Sequence, residues 1–85
     1  DAPAPLPMSA SKLGARDKRE LDALPAKLEK LESELAALAA QMSAPEFFRQ
    51  DSGATVAVQK RAAAVAAELA AAYARWEELE ALRWR

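Results

Sequence analysis

Residues 21–42 read LDALPAKLEKLESELAALAAQM, with Leu21, Leu24, Leu28, Leu31, Leu35, Leu38 and Met42 separated by steps that alternate three and four. A helix with apolar residues at this 3.5-residue spacing carries a narrow stripe along one side, the seam of a coiled coil. Lys27, Glu29, Lys30, Glu32 and Glu34 fill positions between the seam residues and keep the rest of the surface in water. Residues 58–79, VQKRAAAVAAELAAAYARWEEL, repeat the pattern with Val58, Ala62, Val65, Leu69, Ala72, Trp76 and Leu79. Water penalises an exposed apolar stripe by about 25 cal/mol per Å², so each stripe requires a partner.

The simplest partner for either stripe is the other, folded back antiparallel. Pairing Met42 with Val58, Leu38 with Ala62, Leu35 with Val65, Leu31 with Leu69, Leu28 with Ala72, Leu24 with Trp76 and Leu21 with Leu79 uses one register, because every pair of residue numbers adds to 100. Large faces small at Leu38 with Ala62 and Leu28 with Ala72, which lets the backbones approach, while Trp76 widens the end near Leu24. The expected fold is all-α: an antiparallel two-helix coiled-coil hairpin, with each seam helix about 22 residues and ~33 Å long. The same seams would also serve a long-helix dimer, which dilution would dissociate; the hairpin predicts a monomer.

Pro25 removes the hydrogen bond to the Leu21 carbonyl and biases Leu24 away from helical geometry. The seam keeps its phase across the proline, so a kinked N-terminal extension of the first helix, Ala15 to Leu24, is expected there. Leu13 is expected to pack near Trp76, Leu82 or Trp84. At the tip, Ser43 and Glu46 have capping-box spacing with Pro45 between them, predicting a short helical turn. Phe47 and Phe48 are both expected to fold over Met42 and Val58, with Asp51 or Ser52 capping the second long helix. Residues 1–11, DAPAPLPMSAS, place three prolines at alternating positions and read as a flexible Pro/Ala-rich linker, leaving residues 12–85 as the coiled-coil domain.

The 85-residue chain is 52% hydrophobic and 29% charged, with 6% aromatic residues and two glycines, a balance that favours helices over strands. It contains no Cys and no His, which excludes disulfides, the usual zinc sites, a Cys nucleophile and a Ser/His/Asp triad. Gly14 and Gly53 are the only glycines, and neither opens a phosphate-binding loop. Glu77, Glu78 and Glu80 read as a solvated helix face rather than a metal or acid/base site. The chain is therefore expected to be non-catalytic and without cofactors. The missing cysteines and the short apolar runs fit a cytoplasmic protein that does not cross a membrane.

With 12 basic and 13 acidic residues the formal net charge is −1, so nucleic-acid binding has to rest on where the charges lie. Lys12, Arg16, Lys18 and Arg19 precede the hairpin, and the proposed register brings Arg75, Arg83 and Arg85 to the same open end. Asp17, Glu20, Asp22, Glu77, Glu78 and Glu80 share that end, and whether a phosphate-binding surface survives depends on the faces the two signs occupy. Arg49, Lys60 and Arg61 form a smaller basic group at the tip beside the phenylalanines.

Lys12-Leu13, the run Lys18-Arg19-Glu20-Leu21-Asp22-Ala23-Leu24-Pro25, the turn Ser43-Ala44-Pro45-Glu46-Phe47-Phe48 and the run Tyr73-Ala74-Arg75-Trp76-Glu77-Glu78-Leu79-Glu80 follow one another in an order and spacing that together resemble the C-terminal domain of Uup-type ABC-F ATPases. The resemblance covers about residues 12–82. Gly14-Ala15 stand where that family usually carries Ser-Tyr. It implies a coiled-coil domain at the end of a bacterial ATPase, described in that family as DNA-binding, with ABC-F proteins more broadly acting on ribosomes. It further implies that Lys12, Arg16, Lys18 and Arg19 contact DNA or structured RNA through phosphates, with Arg75 and Arg83 at the same end. A protein-interaction or regulatory arm that contacts the parent ATPase domains or the ribosome is the alternative.

Overall fold

A computed structural model of the chain describes residues 13 to 84. Helix α1 spans Ala15–Ser43, a 3-10 turn spans Phe47–Arg49, and helix α2 spans Ser52–Arg83. The linker expected at residues 1–11 lies outside the described residues, as do Lys12 and Arg85. The two long helices pack against each other as the hairpin that the paired stripes predict. With 29 and 32 residues both are longer than the seams themselves, because the helices continue beyond the last apolar layer at each end.

All fourteen seam residues are buried or half-buried. The core joins Leu21, Leu24, Leu28 and Leu31 of α1 to Val65, Ala72 and Leu79 of α2, with Leu35, Leu38, Leu69 and Trp76 packed against it. Val65 and Leu79 are completely enclosed. Ala62 and Ala72 are buried as well, which a methyl side chain achieves only when the opposing backbone is close. Leu28 and Leu38 supply the bulk facing them.

Polar pairs beside the seam fix the register independently. Arg75 pairs with Glu20, and Arg61 with Glu34. Tyr73 donates a hydrogen bond to the Glu32 carboxylate. The Arg–Glu residue numbers add to 95 in both pairs, and the Tyr–Glu numbers to 105, the offsets required of the two flanks when the seam adds to 100. The 95 flank continues through Lys27 and Glu68, which line one surface hollow with Glu34 and Arg61. Along this flank α1 presents Glu20, Lys27 and Glu34 while α2 presents Arg75, Glu68 and Arg61, so the signs alternate on each helix and oppose across it. A one-heptad slip would set like charges opposite each other, and the ladder therefore discriminates against the neighbouring register.

Two X-Pro steps show how packing and local preference compete. Ala44 precedes Pro45 and is extended (φ −68°, ψ 140°), ending α1 at Ser43. Leu24 precedes Pro25 and faces the same steric bias, yet α1 runs through Pro25 without interruption. Leu24 is buried in the seam and Ala44 is not, so apolar contact holds the first site helical while the second follows its local preference. The extension preceding Pro25 is thus part of α1. Leu13 packs against the core cluster, as does Trp76, whereas Trp84 is 75% exposed and takes no part in that packing.

The tip departs from expectation in two respects. No capping box forms: the Ser43 hydroxyl donates back to the Ala39 carbonyl at 2.9 Å, and the 3-10 turn has no side-chain cap. Its backbone closes through Phe47 N–H to Ala44 O and Arg49 N–H to Glu46 O, both at 3.0 Å. The phenylalanines also separate, Phe47 buried at 3% exposure and Phe48 exposed at 72%. A three-residue 3-10 turn points successive side chains about a third of a revolution apart, so one ring can enter the core only if the next leaves it. Asp51 caps α2 as expected, its Oδ2 accepting from the Ala54 N–H at 3.2 Å.

Candidate nucleic-acid interface

The open end gathers the start of α1 and the end of α2, and ion pairing there sorts the charges by face. Arg75 lies on the flank of α2 that meets α1, where its Nε and Nη2 reach the Glu20 carboxylate at 2.9 and 3.0 Å. The same guanidinium reaches Asp17 at 3.4 Å and Glu78 at 3.1 Å. Three carboxylates thus converge on one arginine. Hydrogen bonding from Arg75 holds the Glu20 carboxyl below the usual carboxylate range, and the carboxylates raise Arg75 above the ordinary arginine value. Arg83 contacts Glu80 at 3.5 Å and lies over the Trp84 ring at 5.1 Å, while the Trp84 Nε1–H donates to Glu80 at 3.1 Å.

Among the sequence-predicted site residues, Arg75 and Arg83 are therefore engaged by acids of their own end. Arg16, Lys18 and Arg19 are exposed and form no ion pair among the described residues. Arg16 and Arg19, three residues apart, share the outward face of α1's first two turns, while Lys18, two heptads before Glu32, lies on the flank that carries the Tyr73–Glu32 pair. Asp17 and Glu20 turn inward to Arg75, which removes two of the nearest acids from the face the free cations occupy. Asp22 is the remaining acid of that stretch, exposed and without an ion pair among the described residues.

This placement carries an intrinsic cost. The N-terminal end of a helix has partial positive charge, and a cation in the first turn is disfavoured there by about 0.3–1 kcal/mol. Arg16 and Lys18 lie in that turn and Arg19 just beyond it, with Asp17 as the single acid of the first turn, and Gly14 offers no side chain to cap α1. The cations at the start of α1 thus stand against the helix field, beside the exposed Asp22 of the same helix and across from the exposed Glu77 of α2.

Sequence reasoning missed two contacts at the helix interface. Thr55 is buried, its hydroxyl 3.4 Å from the Phe47 carbonyl and 3.3 Å from that of Asp51, and it ties the 3-10 turn to α2. It stands three residues before Val58, the next seam step, so the heptad count carried one step further finds it. The Tyr73–Glu32 hydrogen bond left only a faint signal, a tyrosine on the flank of the second seam.

The fold and the charge arrangement define an all-α, antiparallel coiled-coil domain whose open end exposes Arg16, Lys18 and Arg19 at the start of α1. No described helix is long and apolar enough to cross a membrane. The chain matches the ABC transporter C-terminal domain over residues 12–81. It is 45% identical over 69 residues to the ATP-binding protein Uup of Haemophilus influenzae, covering 81% of this chain and 11% of that protein. The Uup-like ATP-binding protein of the same organism gives the same identity and coverage of this chain, with 15% of its own length matched. The ATP-binding protein Uup of Escherichia coli is 45% identical over 75 residues, 88% of this chain and 12% of that protein. No solved structure gives a significant match. The chain belongs to the ABC transporter C-terminal domain family and is a C-terminal domain of the Uup type of ABC-F protein. It spans between about a tenth and a seventh of the length of these relatives, and its family is not the catalytic ATPase domain.

Proposed function

We propose that this chain is a non-catalytic nucleic-acid-binding domain that attaches an ABC-F ATPase to DNA or structured RNA through sequence-independent phosphate contacts. The observation that supports this reading is the sorting of charge at the open end: Asp17 and Glu20 turn inward onto Arg75, and Arg16, Lys18 and Arg19 stay exposed with no ion pair among the described residues. Lys12, immediately before the described residues, adds a fourth cation to the same stretch of sequence, and Arg83 lies at the same end. Arg75 then acts as the strut that keeps the acids away from the contact face rather than as a phosphate ligand. The hairpin closes its own seam, so the domain works as a monomer in the cytoplasm.

Phosphate recognition releases counterions, so affinity for a labelled duplex should fall steeply as salt rises. The double variant Arg16→Glu, Arg19→Glu should bind more weakly and lower the slope of log affinity against log salt by about two. Absence of binding at low salt, or an affinity indifferent to salt, overturns the reading.

A second reading is a protein-interaction or regulatory arm contacting the parent ATPase domains or the ribosome. The exposure of Trp84 favours it, since exposed aromatics anchor protein interfaces. Under that reading activity depends on Trp84 and tolerates reversal of Arg16 and Arg19.

A further inference from the structure

We propose that the tip of the hairpin is a second nucleic-acid contact, which stacks an unpaired base on Phe48 and holds the adjoining phosphates with Arg49 and Lys60. This rests on the nucleic-acid reading above and extends it from duplex phosphates at one end to single-stranded bases at the other.

Phe47 and Phe48 meet edge to face, with ring centroids 4.8 Å apart and planes at 82°. Phe47 is buried in the core, so the ring that Phe48 rests against is itself held in place. An edge-to-face contact takes up at most one side of a ring, and at 72% exposure most of Phe48 stands in water. Thr55 fastens the turn to α2 through the Phe47 carbonyl, fixing the base of the aromatic platform.

Charge at the tip is also selective. Arg61 is committed to Glu34 at 2.5 and 2.8 Å, and the Asp51 carboxylate caps α2. Arg49, next to the ring in sequence, and Lys60 are exposed and form no ion pair among the described residues; Glu46 is the tip's remaining exposed carboxylate. Val56 and Lys60, four residues apart, share one face of α2.

A single fixed aromatic with two free cations matches a nucleotide, which offers a flat π-face and a phosphate on either side. Around an aromatic protein anchor further apolar contacts exclude water. At the tip Val56, 47% accessible, is the one further exposed large hydrophobic among the described residues, and the neighbouring exposed charges Arg49 and Lys60 suit a phosphate better.

The test compares Phe48→Ala and Phe48→Trp with the unaltered 85-residue chain, using oligo(dT), oligo(U) and a short duplex as probes at fixed salt. Phe48→Ala should weaken binding to the single strands by about fivefold to a hundredfold, the effect of one lost base stack, and leave duplex binding unchanged. Phe48→Trp should restore it. A larger effect on oligo(U) or on oligo(dT) would identify RNA or DNA as the source of the base. Single-strand affinity unchanged in Phe48→Ala, or an equal loss on the duplex, overturns the tip contact alone while salt-dependent duplex binding stands. Failure of the unaltered chain to bind any probe overturns both readings.

Discussion

Leu79 and Phe47 occupy opposite ends of the hairpin and are among its best-enclosed side chains. Removing either leaves a void that two helices, having no third layer to collapse inward, fill poorly. Leu79→Ala should therefore destabilise the domain by about 2–5 kcal/mol, measured by urea unfolding, whereas Leu38→Ala at a half-buried layer should cost less. The same scale explains why the Phe47-Phe48 pair was only half legible in sequence. Two adjacent apolar residues signal a turn that touches the core, but which ring enters depends on the 3-10 backbone, and no periodicity extends over three residues.

Within α1, Pro25 is an exposed interior residue whose missing N–H leaves one rung of the helix unmade. Packing of Leu24 and Leu28 on either side holds the helix through it. Pro25→Ala restores the donor and should stabilise the domain by about 1–3 kcal/mol, seen as a rise in Tm by circular dichroism; an unchanged or lower Tm would contradict this account. At this scale the sequence was most informative. The alternating leucine steps locate both helices, and Asp51 marks the start of α2, because heptad spacing and caps are local properties. The extension from Ala15 and the cap at Asp51 also set where the helices begin, while past Leu79 α2 continues to Arg83 on hydrogen bonds and solvated side chains that the apolar pattern does not count.

Across the whole molecule, the flanking charge ladder links stability to pH. Glu20 is held below the ordinary carboxyl value of 4.5 mainly by the hydrogen bond from Arg75, and Glu34 likewise by Arg61. A carboxyl whose folded value is depressed contributes stability above its unfolded value, and that contribution disappears as pH falls through the folded value. Thermal stability should thus decline as pH drops below about 4.5, and the double variant Glu20→Gln, Glu34→Gln should show a shallower decline. Both pairs are substantially exposed, with side-chain accessibilities of 38% and 41% at Arg75–Glu20, so salt should also weaken the effect. A pH profile identical in the two proteins would show that the ladder carries no such linkage. Tyr73 has the opposite sign: its hydrogen bond to Glu32 raises the phenol above 10.0, so its contribution is present below that pH and lost above it.

The alternation of three- and four-residue steps was enough to determine an all-α coiled coil, its core layers and, for a chain folded back on itself, its register, because heptad periodicity is a one-dimensional property that packing only has to honour. The sequence also located the basic stretch at the open end. It left undecided which cations are drawn into ion pairs, and the tertiary structure separated Arg75 and Arg83, which are, from Arg16, Lys18 and Arg19, which form none among the described residues. That outcome depends on which residues of one helix come within about 3 Å of the other, a three-dimensional proximity with no local signature. The division of Phe47 from Phe48 has the same origin: one ring fills the space left between two helix ends, and space of that kind exists only after the chain has folded.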